Sequence, residues 1–179
     1  MKTMLKYIFI LYFLIFSYQT VFACKCESID DIKSEFKSTD IVVHGKVISK
    51  EHVTFTSTLN KKGLKKINSK NVLDKDKIEL LKNPNILKIE MEILYTYKGK
   101  RLKKNIFIYT SRHSAACGYK DFKVGQEYQV YLSKDCYFGF VYKNANLDGS
   151  SYNGYWTNVC SRTKDFSLEE DNELKKMIN

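Results

Sequence analysis

Apolar and polar positions alternate along most of this chain and fall into helical spacing only near its two ends. Asp40 to Ile48 (DIVVHGKVI) is apolar and β-branched around Gly45, which predicts a strand with a bulge or sharp bend at the glycine. Ile86 to Tyr97 (ILKIEMEILYTY) alternates as a half-buried strand does, and Lys98-Gly99-Lys100 turns the chain. Ile106 to Thr110 predicts a short core strand. Phe122 to Leu132 supplies a turn at Gly125 and then a strand whose Tyr128, Val130 and Leu132 share one face. Phe138 to Tyr142 and Tyr155 to Val159 complete the set, joined by an Asn- and Gly-rich loop over 143–154. Helical spacing appears first at Ile29, Ile32 and Phe36, behind a cap expected at Ser28 with Asp30 and Asp31 in the first turn. It returns at the C-terminus, where Ser167 and Glu170 form an S-x-x-E capping box and Leu168, Leu174 and Ile178 are expected to pack inward. The acidic run 169–171 suits the positive end of that helix. Five or six strands with helices only at the ends predict a mostly β fold, a small closed or partly open barrel.

Residues 50–85 interrupt the pattern. They are polar and lysine-rich, contain Gly63 and the single proline, Pro84, and read as a long protruding loop or irregular hairpin with a helical turn over Asp74 to Leu81. A loop of that length marks a functional or disordered insertion. Much of the formal charge of +10 lies in Lys61 to Lys77. These lysines read either as a solvated surface or as a site for a polyanion, an acidic polysaccharide or a membrane surface. Nucleic acid is not an expected partner, because the run lacks interleaved aromatics and arginine. The many Tyr and Phe residues alternate within strands, as core and cross-strand packing requires.

The first 23 residues read as a secretory signal peptide: Lys2 and Lys6, an apolar run over 7–16, and Val21-Phe22-Ala23 before the cut. The run is too short to span a bilayer, which takes about 20 apolar residues. Cleavage after Ala23 leaves 24–179 as one domain beginning at Cys24. A lipoprotein peptidase could use the same site, in which case Cys24 carries lipid and its amine is acylated. Either way the chain is expected to be exported, secreted, periplasmic or membrane-anchored, and its cysteines to pair. There are five, Cys24, Cys26, Cys117, Cys136 and Cys160, so one is left over. Spacing alone does not choose the pairs.

Enzymatic signatures are missing. His44, His52 and His113 stand in no H-E-x-x-H or other metal-ligand spacing, and there is no G-x-S-x-G elbow. The expectation is a protein that is not an enzyme and carries no cofactor.

Several segments, in order, resemble one family. They are Cys24-x-Cys26 at the processed terminus, Phe36 through Asp40-Ile-Val-Val and Lys46, Tyr97-Lys-Gly99, Ile108-Tyr-Thr110, Ser114-Ala-Ala-Cys-Gly-Tyr119, and Cys160. Together they are similar to the N-terminal, netrin-like domain of the tissue inhibitors of metalloproteinases (TIMPs), an OB-fold barrel. The resemblance implies bridges from Cys24 to Cys117 and from Cys26 to Cys160, tying an N-terminal ridge to the barrel. It implies that the α-amine and carbonyl of Cys24 chelate the catalytic zinc of a target metalloprotease, with Lys25 entering the specificity pocket. Ser114, Ala115 and Ala116, leading into Cys117, would form the edge beside the ridge. The pattern departs from the family at Lys37, where a cysteine is expected, and at Lys25, where the usual residue is small or β-branched. Cys136 has no counterpart and falls outside both implied bridges; if Cys24 is lipidated, it becomes a partner for Cys117. A netrin-like module that binds a protein or an acidic glycan without inhibiting anything is the alternative function.

Overall fold

The computed structural model describes residues 24, 26, 31–69, 81–137 and 146–178. The predicted signal peptide, Lys25 and the strand expected over Phe138 to Tyr142 lie outside them. So does most of the turn expected over Asp74 to Leu81.

Helix α1 (Ile32–Ser38) starts after Asp31, whose carboxylate accepts the backbone N–H groups of Lys33 (2.8 Å) and Ser34 (3.2 Å). Asp31 is therefore the cap and not a first-turn residue, and the helix begins later than a cap at Ser28 would start it. Ile32 and Phe36 still face inward. The chain then enters β1 (Ile41–Val53), which pairs antiparallel with β2 (Ile86–Lys98) and with β4 (Glu127–Leu132). The register between β1 and β2 slips between His44 and Gly45, where the sequence places a bend. Met91 Cγ and the Glu92 carbonyl oxygen would lie 2.6 and 2.8 Å from a Cβ at Gly45, so only glycine lets β1 curl this closely over β2.

With β3 (Asn105–Ser111), β5 (Tyr155–Trp156) and β6 (Lys164–Asp165), the described strands form one mixed sheet in the order β5-β3-β2-β1-β4-β6. Only the β3–β5 pair is parallel. Beyond β4, Ser133 and Trp156 exchange two backbone hydrogen bonds, of 2.9 and 2.8 Å, which connect the end of β4 to the strand at the opposite edge. Strand β5 is shorter than the expected 155–159. Thr157 donates its hydroxyl to the Tyr131 carbonyl, and the Asn158 side chain accepts the N–H groups of Cys160 and Ser161, so the backbone leaves the sheet in a tight turn.

Three apolar clusters hold these elements. One face of the sheet gathers Ile41, Val43, Val47, Leu87, Ile89, Met91, Ile106, Ile108, Phe122, Tyr128, Val130 and Leu132, with the alternating face of β4 buried in it as its pattern predicts. A second cluster around Trp156, Tyr109 and Phe55 lies under a segment expected to protrude. After β1, a 3-10 turn (Phe55–Thr58) leads into α2 (Lys61–Asn68), and Phe55, Leu59 and Ile67 are all buried. Asn60 caps α2 through Lys62 N–H (2.9 Å) and Gly63 N–H (3.1 Å) and donates its amide to the carbonyls of Ser150 and Tyr152. The first part of the lysine-rich insertion is thus folded against the 3-10 turn at Gly149–Ser151, because every third or fourth residue from 55 to 67 is apolar enough to bury.

The third cluster, Val42, Tyr97, Tyr131 and Leu174, lies beneath α3 (Leu168–Ile178). Of the three residues expected to pack inward only Leu174 does; Leu168 is 71 % exposed and Ile178 39 %. Glu170 and Asp171 take their places. Tyr131 donates its hydroxyl to Glu170 (2.6 Å) and Tyr97 donates to Asp171 (2.5 Å). Glu170 does not return to cap Ser167, whose N–H is taken by Gln129 Oε1 at 3.1 Å. Two tyrosine hydroxyls on the outer face of the sheet demand acceptors, and the inward face of α3 supplies them.

Candidate functional site

Cys24 is bonded to Cys117 and Cys26 to Cys160, with Cα–Cα separations of 5.3 and 5.1 Å. These are the two pairs that the family resemblance implies. Cys136 stands in neither bridge. It lies with Tyr131, Trp156 and Cys160 in the wall of a cleft of about 350 Å³ that opens beside α1.

The anchor for Cys24 is built by the segment after β3. His113 N–H donates to Ser111 Oγ (3.0 Å), and a 3-10 turn (Ser114–Ala116) follows. Ala116 N–H and Gly118 N–H both reach the His113 carbonyl, at 3.0 and 3.1 Å. Cys117 ends the turn in the left-handed region, φ 56°. Gly118 must be glycine, because a Cβ there would lie 2.0 Å from the Ser111 carbonyl oxygen. The Ser114 and Ala115 side chains are exposed, Ala116 and Cys117 half-buried. The turn is fixed from below: Tyr137 OH accepts Ser111 N–H at 2.7 Å, and burial, the larger influence, carries that hydroxyl's pKa to about 12. Val159 N–H donates to the Cys117 carbonyl (2.9 Å), so the segments holding the two bridges are joined to each other.

The bridges are also in contact. Sγ of Cys24 lies 3.7 Å from Sγ of Cys160, and the sulfurs of Cys24, Cys117 and Cys160 all lie within 4.8 Å of one another. Cys24 and Cys117 are a bonded pair and Cys160 is bonded to Cys26, so this closeness is that of two disulfides in contact. None of the three histidines belongs to this group. His44 Nε2 meets Glu127 Oε2 at 2.8 Å and its ring stacks on Phe166, while His113 faces Asn85 at 3.4 Å.

The structure thus gathers Cys24, Cys26, Ser114, Ala115, Ala116, Cys117 and Cys160 into one surface region. No protein-family model matches this chain, and no curated protein matches it. Sequence reasoning missed the supporting residues Ser111, Tyr137 and Val159, which act through long-range hydrogen bonds that leave no local pattern, and Asn158, whose local turn under Cys160 an Asn two residues ahead of the cysteine could have signalled.

Two of the described lysines of α2 lie beside a carboxylate. Lys66 Nζ contacts Asp148 at 3.1 Å and the Asn146 carbonyl at 2.6 Å, and Lys62 lies 3.9 Å from the same carboxylate. Hydrogen bonds from Ser150 first and Lys66 second hold Asp148 below the usual carboxylate range. On α2, Lys61, Lys62 and Lys65 are exposed and Lys66 is half-buried.

Proposed function

We propose that the chain is an exported, TIMP-like protein of the netrin-like OB-fold type. It acts on zinc metalloendopeptidases as an inhibitor, not as an enzyme, through the α-amine and carbonyl of a processed Cys24. The observation that carries this reading is the Cys24–Cys117 bridge, which fixes the proposed new terminus beside the exposed Ser114–Ala115 turn. A terminus already ordered by two bridges loses little further entropy on docking. The backbone bridge between Ser133 and Trp156 supports the barrel part of the proposal, since it joins β4 to the far edge of the sheet.

An α-amine titrates at about 7.7–8.0, so a useful fraction is neutral at pH 7, and zinc displaces the remaining proton. Bound to the metal, the amine and carbonyl would occupy the position of the water that attacks the substrate. Lys25 would bring its charge to the neighbouring specificity pocket.

The test compares the mature protein starting at Cys24 with the same protein carrying one extra alanine ahead of it, against a panel of zinc metalloendopeptidases. Inhibition of at least one enzyme by the first form, weakened by two or more orders of magnitude in the second, is the expected result. Equal inhibition by both forms, or none by either, overturns the chelation model.

A further inference from the structure

From the contact between the two bridges we infer that the reduced chain carries a thiolate metal site. The four sulfurs of Cys24, Cys26, Cys117 and Cys160, which close as two disulfides in the oxidised protein, gather around one soft cation of the zinc class. Tetrahedral zinc thiolate has Zn–S bonds of about 2.3 Å, which sets the sulfur–sulfur edge of the tetrahedron at about 3.8 Å. The Cys24 and Cys160 sulfurs, one from each bridge, already stand 3.7 Å apart, and Cys117 completes a triangle within 4.8 Å. Cys26, the bonded neighbour of Cys160, stands outside that triangle and would supply the fourth ligand by side-chain rotation once its bridge opens.

Opening each bridge moves its two sulfurs apart from bonding distance to one tetrahedral edge, a change that side-chain rotation provides. The scaffold beneath does not depend on the bridges alone. The Val159–Cys117 backbone hydrogen bond, the Asn158 turn under Cys160 and the Ser111–Tyr137 contact hold both segments. The four cysteines are half-buried residues, so thiolates there are partly shielded from water.

The chemistry balances as follows. A dithiol reductant gives two electrons and two protons to each bridge and becomes a cyclic disulfide, leaving two thiols per bridge. A divalent cation then binds the four sulfurs as thiolates and releases four protons, so its affinity rises with pH. Before the bridges form, the newly made chain is in this reduced state. A bound ion would hold the four cysteines together and keep them from mispairing with Cys136.

This site uses sulfur and the reduced chain, whereas the inhibitory reading uses the Cys24 amine and the oxidised chain, so either can fail without the other. The test reduces the full mature chain anaerobically with a phosphine and titrates it with Co(II). Here the phosphine takes oxygen from water, whose two protons go to the sulfurs. A sulfur-to-cobalt charge-transfer band saturating at one ion per chain, with the visible bands of a tetrahedral centre and displacement by Zn(II), is the expected result. Cys136→Ser should retain it, and Cys117→Ser/Cys160→Ser should weaken binding at least tenfold. The same titration in 8 M urea controls for thiols scattered along an unfolded chain and should show a loss of at least tenfold. Absence of the band, equal binding in urea, or equal binding by the double variant overturns the site.

Discussion

At the scale of single residues, Gly118 shows how closely the Ser114–Ala116 turn depends on one backbone contact. The Ser111 carbonyl oxygen lies where a Cβ would be, and it belongs to backbone held by Tyr137, so it has little room to withdraw. Gly118→Ala is expected to destabilise the protein by about 1–3 kcal/mol, the range for forced overpacking, as read by urea denaturation. The same variant should shift the Ser114–Ala116 turn and weaken any docking through it. Cys-Gly is visible in the sequence as a pair, but the reason for the glycine is not, because Ser111 approaches it only after the chain has folded back on β3. His44 shows the opposite case. Its position among β-branched residues predicts a satisfied strand histidine, and its contacts with Glu127 and Phe166 are of that kind.

At the scale of elements, α3 was recognisable from its spacing but its inward face was not. Leucine was the natural candidate for burial, yet Glu170 and Asp171 are the residues that α3 turns toward the sheet. Burial pushes the Glu170 carboxyl up, but hydrogen bonds from Lys164, Tyr131 and Arg162 outweigh it and hold the group below its ordinary value. Asp171 is depressed in the same way, burial being outweighed by Lys175 and Tyr97. Burial first, and the carboxylates second, raise both tyrosine hydroxyls far above their normal range. Because the folded carboxyls have lowered pKa values, the unfolded chain binds more protons near pH 4. The stability they contribute is complete above about pH 4.5 and is lost as pH falls through the folded values. Glu170→Gln should therefore cost about 2 kcal/mol at pH 7, since it leaves Arg162 and Lys164 without their carboxylate. Thermal melts at pH 7, 5 and 3 should show that difference shrinking on acidification. A difference independent of pH would mean that the Glu170 charge contributes nothing to the hold on α3.

Helix α2 belongs to the same scale. Its lysines suggested a solvated loop, and composition overrode the weaker signal of Phe55, Leu59, Leu64 and Ile67 beneath it. Local polarity says little about burial when a few well-spaced apolar residues find a surface to cover, here that of Trp156 and Tyr152.

At the scale of the whole molecule, the two bridges span 93 and 134 residues and fasten Cys24 and Cys26 to two distant segments. In the chain-entropy account the first such cross-link contributes about 4–5 kcal/mol. With the Cys24–Cys117 bridge in place, the second closes an effective loop of roughly 45 residues, made of 117–160 and 24–26, and is expected to add about 4 kcal/mol. Cys26→Ser/Cys160→Ser should lower the unfolding free energy by that amount in urea melts while leaving the urea dependence of the folded sheet's transition cooperative. A loss well below 2 kcal/mol would show that the outer bridge restrains the terminus without stabilising the fold.

The sequence by itself determined where the long strands begin, that the first of them breaks register at Gly45 and that helices flank the sheet, although β1 runs on to Val53, beyond the expected Ile48. These follow from periodicity and steric rules that act over a few residues. Only the tertiary structure decided which cysteines meet, which acids on α3 are buried and which lysines lie beside Asp148, because each depends on partners tens of residues away. Their pairing is selected by the energy of packing and hydrogen bonding, which no short stretch of the chain contains.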